Sequence, residues 1–274
     1  MTALGRVECD FREPDCIRKI ITSTRPDIIV NAAAYNAVDQ AETSPDIAYA
    51  INAQAPQVMA ECTAKQNTLL VHYSSDYIFD GSKGSPYIEN DQANPLSIYG
   101  KSKWQAEQLI RQICPRHLIF RTSWLHSPYS KNFLTAILKH AQANTTLDVI
   151  TDQTGTPTSV NLLTTVTQHV LHQYITVNPL PYGTYHLVPA GGASRYEYAK
   201  LIVSLAKKYA LPVKLMAEGI LPITTGSSSQ TRAPRPADSR LNNHLLQQTF
   251  HLPLSTWQED VEQTIQQIAS ATHG

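Results

Sequence analysis

Three side chains in the stretch 74–103 have the types and spacing to act together on a carbonyl group. Ser75 follows the apolar run 69–73, which predicts a buried parallel strand. Tyr99 and Lys103 are four residues apart in a helical stretch, so both side chains leave the same face. The hydroxyl can hold a carbonyl oxygen while the phenol delivers a proton to it. The charge of Lys103 is predicted to lower the pKa of Tyr99, which makes the phenol a usable acid near neutral pH.

A lone Tyr-x-x-x-Lys pattern has a structural interpretation as well, because any amphipathic helix can carry it by chance. Three further features favour catalysis. The strand end at Ser75 lies 24 residues upstream of Tyr99, the small-residue run 31–34 ends an earlier strand, and the segment 121–124 follows a later one. Open parallel sheets bind ligands at the carboxyl ends of their strands, so these segments are expected to meet.

Together these residues resemble the extended short-chain dehydrogenase/reductase family, and within it the branch that reduces dTDP-4-dehydrorhamnose. The resemblance runs from about residue 10 to about residue 268. It implies reduction of the C4 ketone of dTDP-4-dehydro-L-rhamnose to dTDP-L-rhamnose by hydride from NADPH or NADH. Tyr99 would protonate the ketone oxygen, Lys103 would tune Tyr99 and hold the nicotinamide ribose, and Ser75 would bond the same oxygen. Asp76 and Trp124 would contact the sugar nucleotide.

The resemblance also implies a cofactor-binding set and argues against a related reaction. Besides Tyr99 and Lys103, that set consists of Asp10 and Phe11 near the adenine and of Ala34, Tyr35 and Asn36 at the end of an earlier strand. Sugar-nucleotide dehydratases of the superfamily place Asp-Glu after the strand-end hydroxyl. Here Tyr77 follows Asp76, so the second carboxylate is absent and a plain reductase is favoured.

The alternation of apolar strands and helices predicts an α/β fold, a Rossmann-like doubly wound parallel sheet with a smaller C-terminal α/β substrate lobe. We assign 1–150 to the dinucleotide-binding domain and 151–274 mainly to the substrate lobe, from which some segments could return to the first domain. The patterns Ser194-x-x-Glu197 and Ser255-x-x-Gln258 predict capping boxes that open two late helices. The segment 222–236 is predicted to be a loop.

Three arginines, Arg232, Arg235 and Arg240, lie in or just after this predicted loop. A solvated basic loop and contact with a diphosphate are about equally favoured, because the Arg fork suits phosphate groups. The sequence around Arg235 and Arg240 matches a segment of the family's substrate lobe.

The family begins with a strand, a glycine-rich turn and a helix, whose backbone N–H groups hold the cofactor pyrophosphate. The sequence contains no G-x-x-G-x-x-G or G-x-G-x-x-G pattern. By the resemblance Met1 falls just after the second family strand, roughly 30 residues into the fold, about one βα unit plus a strand. We therefore expect weak NADPH binding by residues 1–274. The alternative function is a non-catalytic or regulatory homologue that binds a sugar nucleotide or a partner.

Charge, hydropathy and cysteine spacing argue against a nucleic-acid-binding protein, a membrane protein and a zinc protein. Lys plus Arg equals Asp plus Glu at 22 each, so nothing points to nucleic acid or an anionic membrane. The sequence has no transmembrane or leader pattern, and its four cysteines lack zinc spacing, so a cytoplasmic protein with free thiols is expected. The resemblance is compatible with a homodimer. Some members carry a structural metal such as Mg²⁺ between subunits, but its ligands cannot be assigned from this sequence.

Overall fold

A computed structural model describes residues 2–176, 180–227 and 233–273. Its strands are β1 Ile28–Asn31, β2 Leu69–Ser75, β3 His117–Thr122, β4 Leu125–His126, β5 Leu147–Ile150, β6 Thr154–Gly155, β7 Thr158–Ser159, β8 Gly183–His186, β9 Ala193–Ser194 and β10 Ile220–Ile223. Its α-helices are α1 Pro14–Thr24, α2 Val38–Thr43, α3 Pro45–Tyr49, α4 Ala55–Gln66, α5 Ile98–Ile113, α6 Phe133–Ala143, α7 Val160–Thr176, α8 Arg195–Lys208, α9 His244–Phe250 and α10 Trp257–His273. No helix in these ranges is long and apolar enough to cross a membrane.

The central sheet has four parallel strands in the order β1-β2-β3-β8. Alternate side chains of β2 and β3 enter two different apolar layers. On one face, Leu70 and Ile119 pack with residues of α1, α4 and α5, among them Ile17, Val58 and Ile110. On the other face, residues from the same strands pack with α7 and α9: Leu69, Val71, Leu118, Phe120, Leu163, Val166 and Phe250. Helices therefore cover both faces, and the predicted doubly wound sheet is confirmed.

A second apolar cluster lies beside this sheet and forms the smaller lobe. The strand β5 pairs in parallel with β10, and the residues of α6, α8 and α10 pack around them. The strand β8 and the helix α7 belong to the central sheet and its layers, although both follow residue 150. The chain thus returns to the central sheet after it has entered the smaller lobe. The domain boundary at residue 150 stays a prediction.

Two local predictions need correction. The last helix is capped by Thr256 and Glu259, not by Ser255 and Gln258. The Glu259 carboxylate accepts from the Thr256 backbone N–H at 2.8 Å, and the Thr256 hydroxyl accepts from Glu259 N–H at 3.3 Å. Thr256 directly precedes the helix, and a carboxylate is a stronger acceptor than an amide.

The predicted loop 222–236 begins inside β10, where Pro222 stands opposite Val149 at the edge of a two-stranded sheet.

Candidate active site

A cleft of about 1130 Å³ opens at the carboxyl ends of the central strands, between the sheet and the smaller lobe. Five of the sequence-predicted site residues line it together: Ser75, Asp76, Tyr99, Lys103 and Trp124. Ala34 and Asn36, which were predicted to bind the cofactor, line it as well, and so does Arg235. The topology thus brings segments that are distant in the sequence to one edge, as expected for an open α/β sheet.

Ser75 and Asp76 lie where β2 ends in a single 3₁₀ turn. The Ser75 hydroxyl accepts from Tyr77 N–H at 3.1 Å and donates to the Asp76 carboxylate at 3.0 Å. The other carboxylate oxygen of Asp76 accepts from the Ser239 hydroxyl at 2.6 Å. Burial raises the pKa of Asp76 to about 6, although the two serine hydrogen bonds and the charge of Arg195 oppose the shift.

This raised pKa predicts a pH-dependent cost in stability. The folded chain binds the Asp76 proton more tightly than the unfolded chain, whose pKa is near 3.8, so stability falls as pH rises from about 4 through 6. Over that range the loss approaches about 3 kcal/mol. The amide of Asp76→Asn stays neutral, so the variant should gain stability relative to wild type between pH 4 and pH 7, as measured by urea unfolding. If the free energy of unfolding differed between Asp76→Asn and wild type by the same amount at pH 4 and at pH 7, the raised pKa of Asp76 would be contradicted.

Tyr99 lies in the first turn of α5, which Ser97 caps by accepting from Gly100 N–H at 3.1 Å. Glycine is required at position 100, because a Cβ there would lie 2.2 Å from the Tyr77 carbonyl oxygen. The Tyr99 ring lies edge-on to Tyr77, with centroids 5.8 Å apart. The helix start therefore holds the phenol beside the strand end that carries Ser75.

The predicted effect of Lys103 on Tyr99 is wrong for this structure. Burial raises the pKa of Tyr99 above its ordinary value, and the charges of Asp76 and Tyr77 act in the same direction. Hydrogen bonding with Ser75 opposes the rise. The phenol consequently keeps its proton throughout the neutral range, and it enters a reaction as an acid.

The Lys103 amine is instead part of a chain of buried hydrogen bonds that has a fixed direction. Ala33 N–H donates to the Asn31 side-chain oxygen at 3.2 Å, so the Asn31 amide nitrogen faces His72 Nδ1, 3.0 Å away. This leaves the proton on His72 Nε2, which lies 3.3 Å from Lys103 Nζ. Lys103 donates to the Tyr73 carbonyl at 2.5 Å. A neutral amine satisfies every group, whereas an ammonium leaves His72 Nε2–H without an acceptor.

The surroundings of Lys103 also favour its neutral amine. Burial lowers the pKa of Lys103 to about 8, and the carboxylate of Glu107 only partly opposes this. Burial, with the charge of Lys103, also holds the pKa of His72 well below its ordinary value, so the imidazole stays neutral. Both forms of the lysine are therefore populated close to neutral pH.

The turn after β1 forms one wall of the cleft. Ala32, Ala33 and Ala34 line the cleft with methyl groups only, so a flat ring can lie close to the backbone. Asn52 holds this turn in place, since its side chain accepts from Tyr35 N–H at 2.7 Å and donates to the Tyr35 carbonyl at 3.2 Å. The Tyr35 ring itself does not line the cleft.

The two residues predicted near the adenine also lie away from the cleft lining. The Asp10 carboxylate bonds Arg12 Nε at 3.0 Å. Phe11 packs against the apolar layer of α1 and α4. Contacts of Asp10, Phe11 and Tyr35 with a cofactor therefore stay predictions.

Trp124 lies at the mouth of the cleft, with its backbone in the left-handed region at φ 43°. Gly155 packs against its indole so closely that a Cβ at that position would lie 2.4 Å from the ring. The guanidinium carbon of Arg195 lies 3.6 Å from the ring centroid. The indole of Trp124 thus packs closely against Gly155 and has the Arg195 guanidinium over its ring.

The three arginines in or just after the predicted loop do not share one environment. Arg235 lines the cleft and pairs with Asp39 at 2.9 Å. Arg240 pairs with Asp238 at 2.6 Å and does not line the cleft. Arg232 lies outside the described residues.

Residues 1–270 match the model of the family described as RmlD substrate binding domain. The chain belongs to this family. The dTDP-4-dehydrorhamnose reductase of Escherichia coli (strain K12) is 38% identical over 263 residues, which cover 96% of this chain and 87% of that protein. The enzyme of the same name from Burkholderia thailandensis is 35% identical, with 97% and 90% covered. The resemblance inferred from the sequence is confirmed.

Solved structures agree with the fold. The dTDP-4-dehydrorhamnose reductase of Bacillus anthracis, in complex with NADP, superposes with a TM-score of 0.86 at 31% identity, covering 95% of this chain and 88% of that chain. The corresponding protein of Clostridium acetobutylicum gives 0.85 at 31% identity, covering 96% and 88%. Members of the family therefore share the sheet and the lobe that build this cleft.

Sequence reasoning missed three residues of the site: His72, Arg195 and Ser239. His72 is hidden in an apolar strand pattern, and nothing local relates Ser239 to Asp76. Arg195 does carry a local signal. It follows the cap residue Ser194, and a cation in the first turn of a helix opposes the helix dipole. Such an unfavourable placement is a reason to look for a functional role.

Proposed function

We propose that this chain reduces the C4 ketone of dTDP-4-dehydro-L-rhamnose to dTDP-L-rhamnose with NADPH. The names of its relatives and the NADP complex of one of them support the reaction and the cofactor. The observation that carries the proposal is the meeting of Ser75, Tyr99 and Lys103 on one cleft beside a wall of alanines. Those groups are what a ketone and a nicotinamide ring require.

Each residue has a defined task. The Ser75 hydroxyl binds the ketone oxygen, and Tyr99, which keeps its proton because its pKa is raised, protonates that oxygen. Lys103, held by the Tyr73 carbonyl, binds the nicotinamide ribose beside the alanine wall. NADPH, when bound, supplies the hydride. The side chain after Asp76 is a tyrosine that bonds Arg235, so the carboxylate pair that dehydration needs is not at this position.

The direct test is consumption of NADPH by the purified chain in the presence of dTDP-4-dehydro-L-rhamnose, with the product identified by NMR. We expect one dTDP-L-rhamnose for each NADPH oxidised, formed slowly because weak NADPH binding is expected of residues 1–274. Binding of dTDP without any NADPH oxidation would overturn the reductase and favour the non-catalytic homologue. Calorimetric titration with NADPH and with dTDP separates a failure of cofactor binding from a failure of chemistry.

Trp124 provides a test of substrate placement. Trp124→Ala removes the surface on which we place the sugar nucleotide, and it frees Arg195 from its stacked position. The KM for the sugar nucleotide should rise about 10-fold or more, because loss of a buried aromatic contact costs roughly 1.5 kcal/mol or more. The KM for NADPH should change by less than about 2-fold. A rise confined to NADPH would put Trp124 on the cofactor side.

We propose further that the chain is cytoplasmic, forms a homodimer and binds no nucleic acid or membrane. Its four cysteines are free, which suits a reducing compartment, and its formal charge is zero. Light scattering after size exclusion tests the oligomer, since a monomeric mass of 30.4 kDa at micromolar concentration would contradict a dimer.

A further inference from the structure

Arg195 is the first residue of α8, and its guanidinium lies against the cleft. It covers the Trp124 ring at 3.6 Å and lies 5.0 Å from the centroid of Phe133. A guanidinium stacked on aromatic rings keeps its N–H groups in its own plane, free to bond a ligand at its edge. The stack therefore fixes the group without using its donors.

The charge of Arg195 is not neutralised by an ion pair within the described residues. Other arginines near the site each have a carboxylate: Arg121 pairs with Glu107 at 2.8 Å, Arg235 with Asp39 at 2.9 Å and Arg240 with Asp238 at 2.6 Å. No hydrogen bond joins the Arg195 side chain to any residue in the described ranges, where its guanidinium lies over the rings of Trp124 and Phe133.

The charges around Arg195 act in both directions. Burial and the charge of Arg235 both lower the pKa of Arg195, and the amino end of α8 adds its own partial positive charge. Tyr77 and Asp76 act in the opposite direction, but the Asp76 carboxylate already accepts from Ser75 and Ser239. Arg235 already has the Asp39 carboxylate as its partner, whereas no carboxylate bonds the Arg195 guanidinium within the described residues. A bound anion would supply that partner.

We propose that Arg195 binds the diphosphate of the sugar nucleotide, with Trp124 as the platform that orients its guanidinium. The inference rests on the proposed function for the identity of the nucleotide. Arg195 is then a substrate-binding residue, whose positive charge attracts the diphosphate and whose planar guanidinium donates hydrogen bonds to the diphosphate oxygens. Arg235 lies on the same wall and would share the anion.

Calorimetric titration of the full chain with dTDP, and with thymidine as the ligand without phosphates, tests this assignment. Arg195→Gln should weaken dTDP binding about 10- to 100-fold, the loss expected for a charged hydrogen bond, and change thymidine binding by less than about 2-fold. Arg195→Lys should restore part of the dTDP affinity, because it keeps the charge and loses the fork. The matched control Arg240→Gln should bind both ligands as wild type does.

Thermal unfolding and NADPH affinity check that Arg195→Gln keeps its fold. Unchanged dTDP affinity in that variant would overturn the inference. An equal loss for dTDP and thymidine would overturn it too, since Arg195 would then only support the Trp124 ring. Ketone reduction by wild type decides the proposed function separately. An inactive wild type that still needs Arg195 for dTDP leaves this inference standing, and an active wild type that does not need it removes this inference alone.

Discussion

Tyr99→Phe should lower the turnover number for ketone reduction by about 10²- to 10⁴-fold, the contribution of a positioned general acid. The substitution removes one hydroxyl and keeps the ring that packs edge-on against Tyr77. The ketone oxygen then has no proton donor in the position of the phenol. Steady-state measurement of NADPH oxidation gives the effect, and calorimetry should show that NADPH affinity is unchanged.

The matched control is Tyr209→Phe. The Tyr209 hydroxyl bonds Glu262 at 2.6 Å and Gln266 at 2.6 Å, outside the cleft. That variant should turn over at the wild-type rate. If Tyr99→Phe retained near-normal turnover, the acid would have to be another group, and Tyr99 would lose the role assigned to it.

Lys103→Met should lower turnover by about 10²-fold or more and raise the KM for NADPH, because the amine is proposed to position the nicotinamide ribose for hydride transfer. Methionine keeps the length and apolar bulk of the side chain. It cannot donate to the Tyr73 carbonyl or accept from His72, so two buried polar groups lose their partner. Turnover and the KM for NADPH, measured together at pH 7 and pH 9, report both consequences.

Lys101→Met serves as the comparison, since Lys101 is an exposed residue two positions away on the same helix and does not line the cleft. It should leave both parameters unchanged. Turnover of Lys103→Met within about 10-fold of wild type would mean that the amine is mainly structural. In that case the loss would appear in the free energy of unfolding instead.

Much of the site could be predicted from short-range patterns. The apolar run before Ser75 indicated a strand, and the four-residue spacing of Tyr99 and Lys103 placed both on one helical face. Parallel strands present their carboxyl ends at one edge, so the meeting of Ser75, Tyr99 and Trp124 followed from the order of elements alone. The sequence therefore determined the fold class, the family and the type of chemistry.

The protonation states depended on contacts that local patterns do not encode. Asp76 owes its raised pKa to burial, and its second partner, Ser239, is 163 residues away in the chain. Lys103 was predicted to act electrostatically on Tyr99, but packing directs its amine to Tyr73 and His72. A pKa depends on the desolvation of each group and on its neighbours in space, and both exist only after the chain has folded.

The same holds for recognition of the substrate. The indole of Trp124 suggested a flat apolar surface, and only the packed lobe shows that Gly155 packs against it and that the Arg195 guanidinium lies over it. Arg195 lies at the start of α8, where the helix dipole disfavours a cation, and it is stabilised there by a ring from another segment. Residue types and spacing thus determined which reaction the chain supports. The tertiary structure decided which charges face the ligand, because long-range packing sets which donors remain without an acceptor.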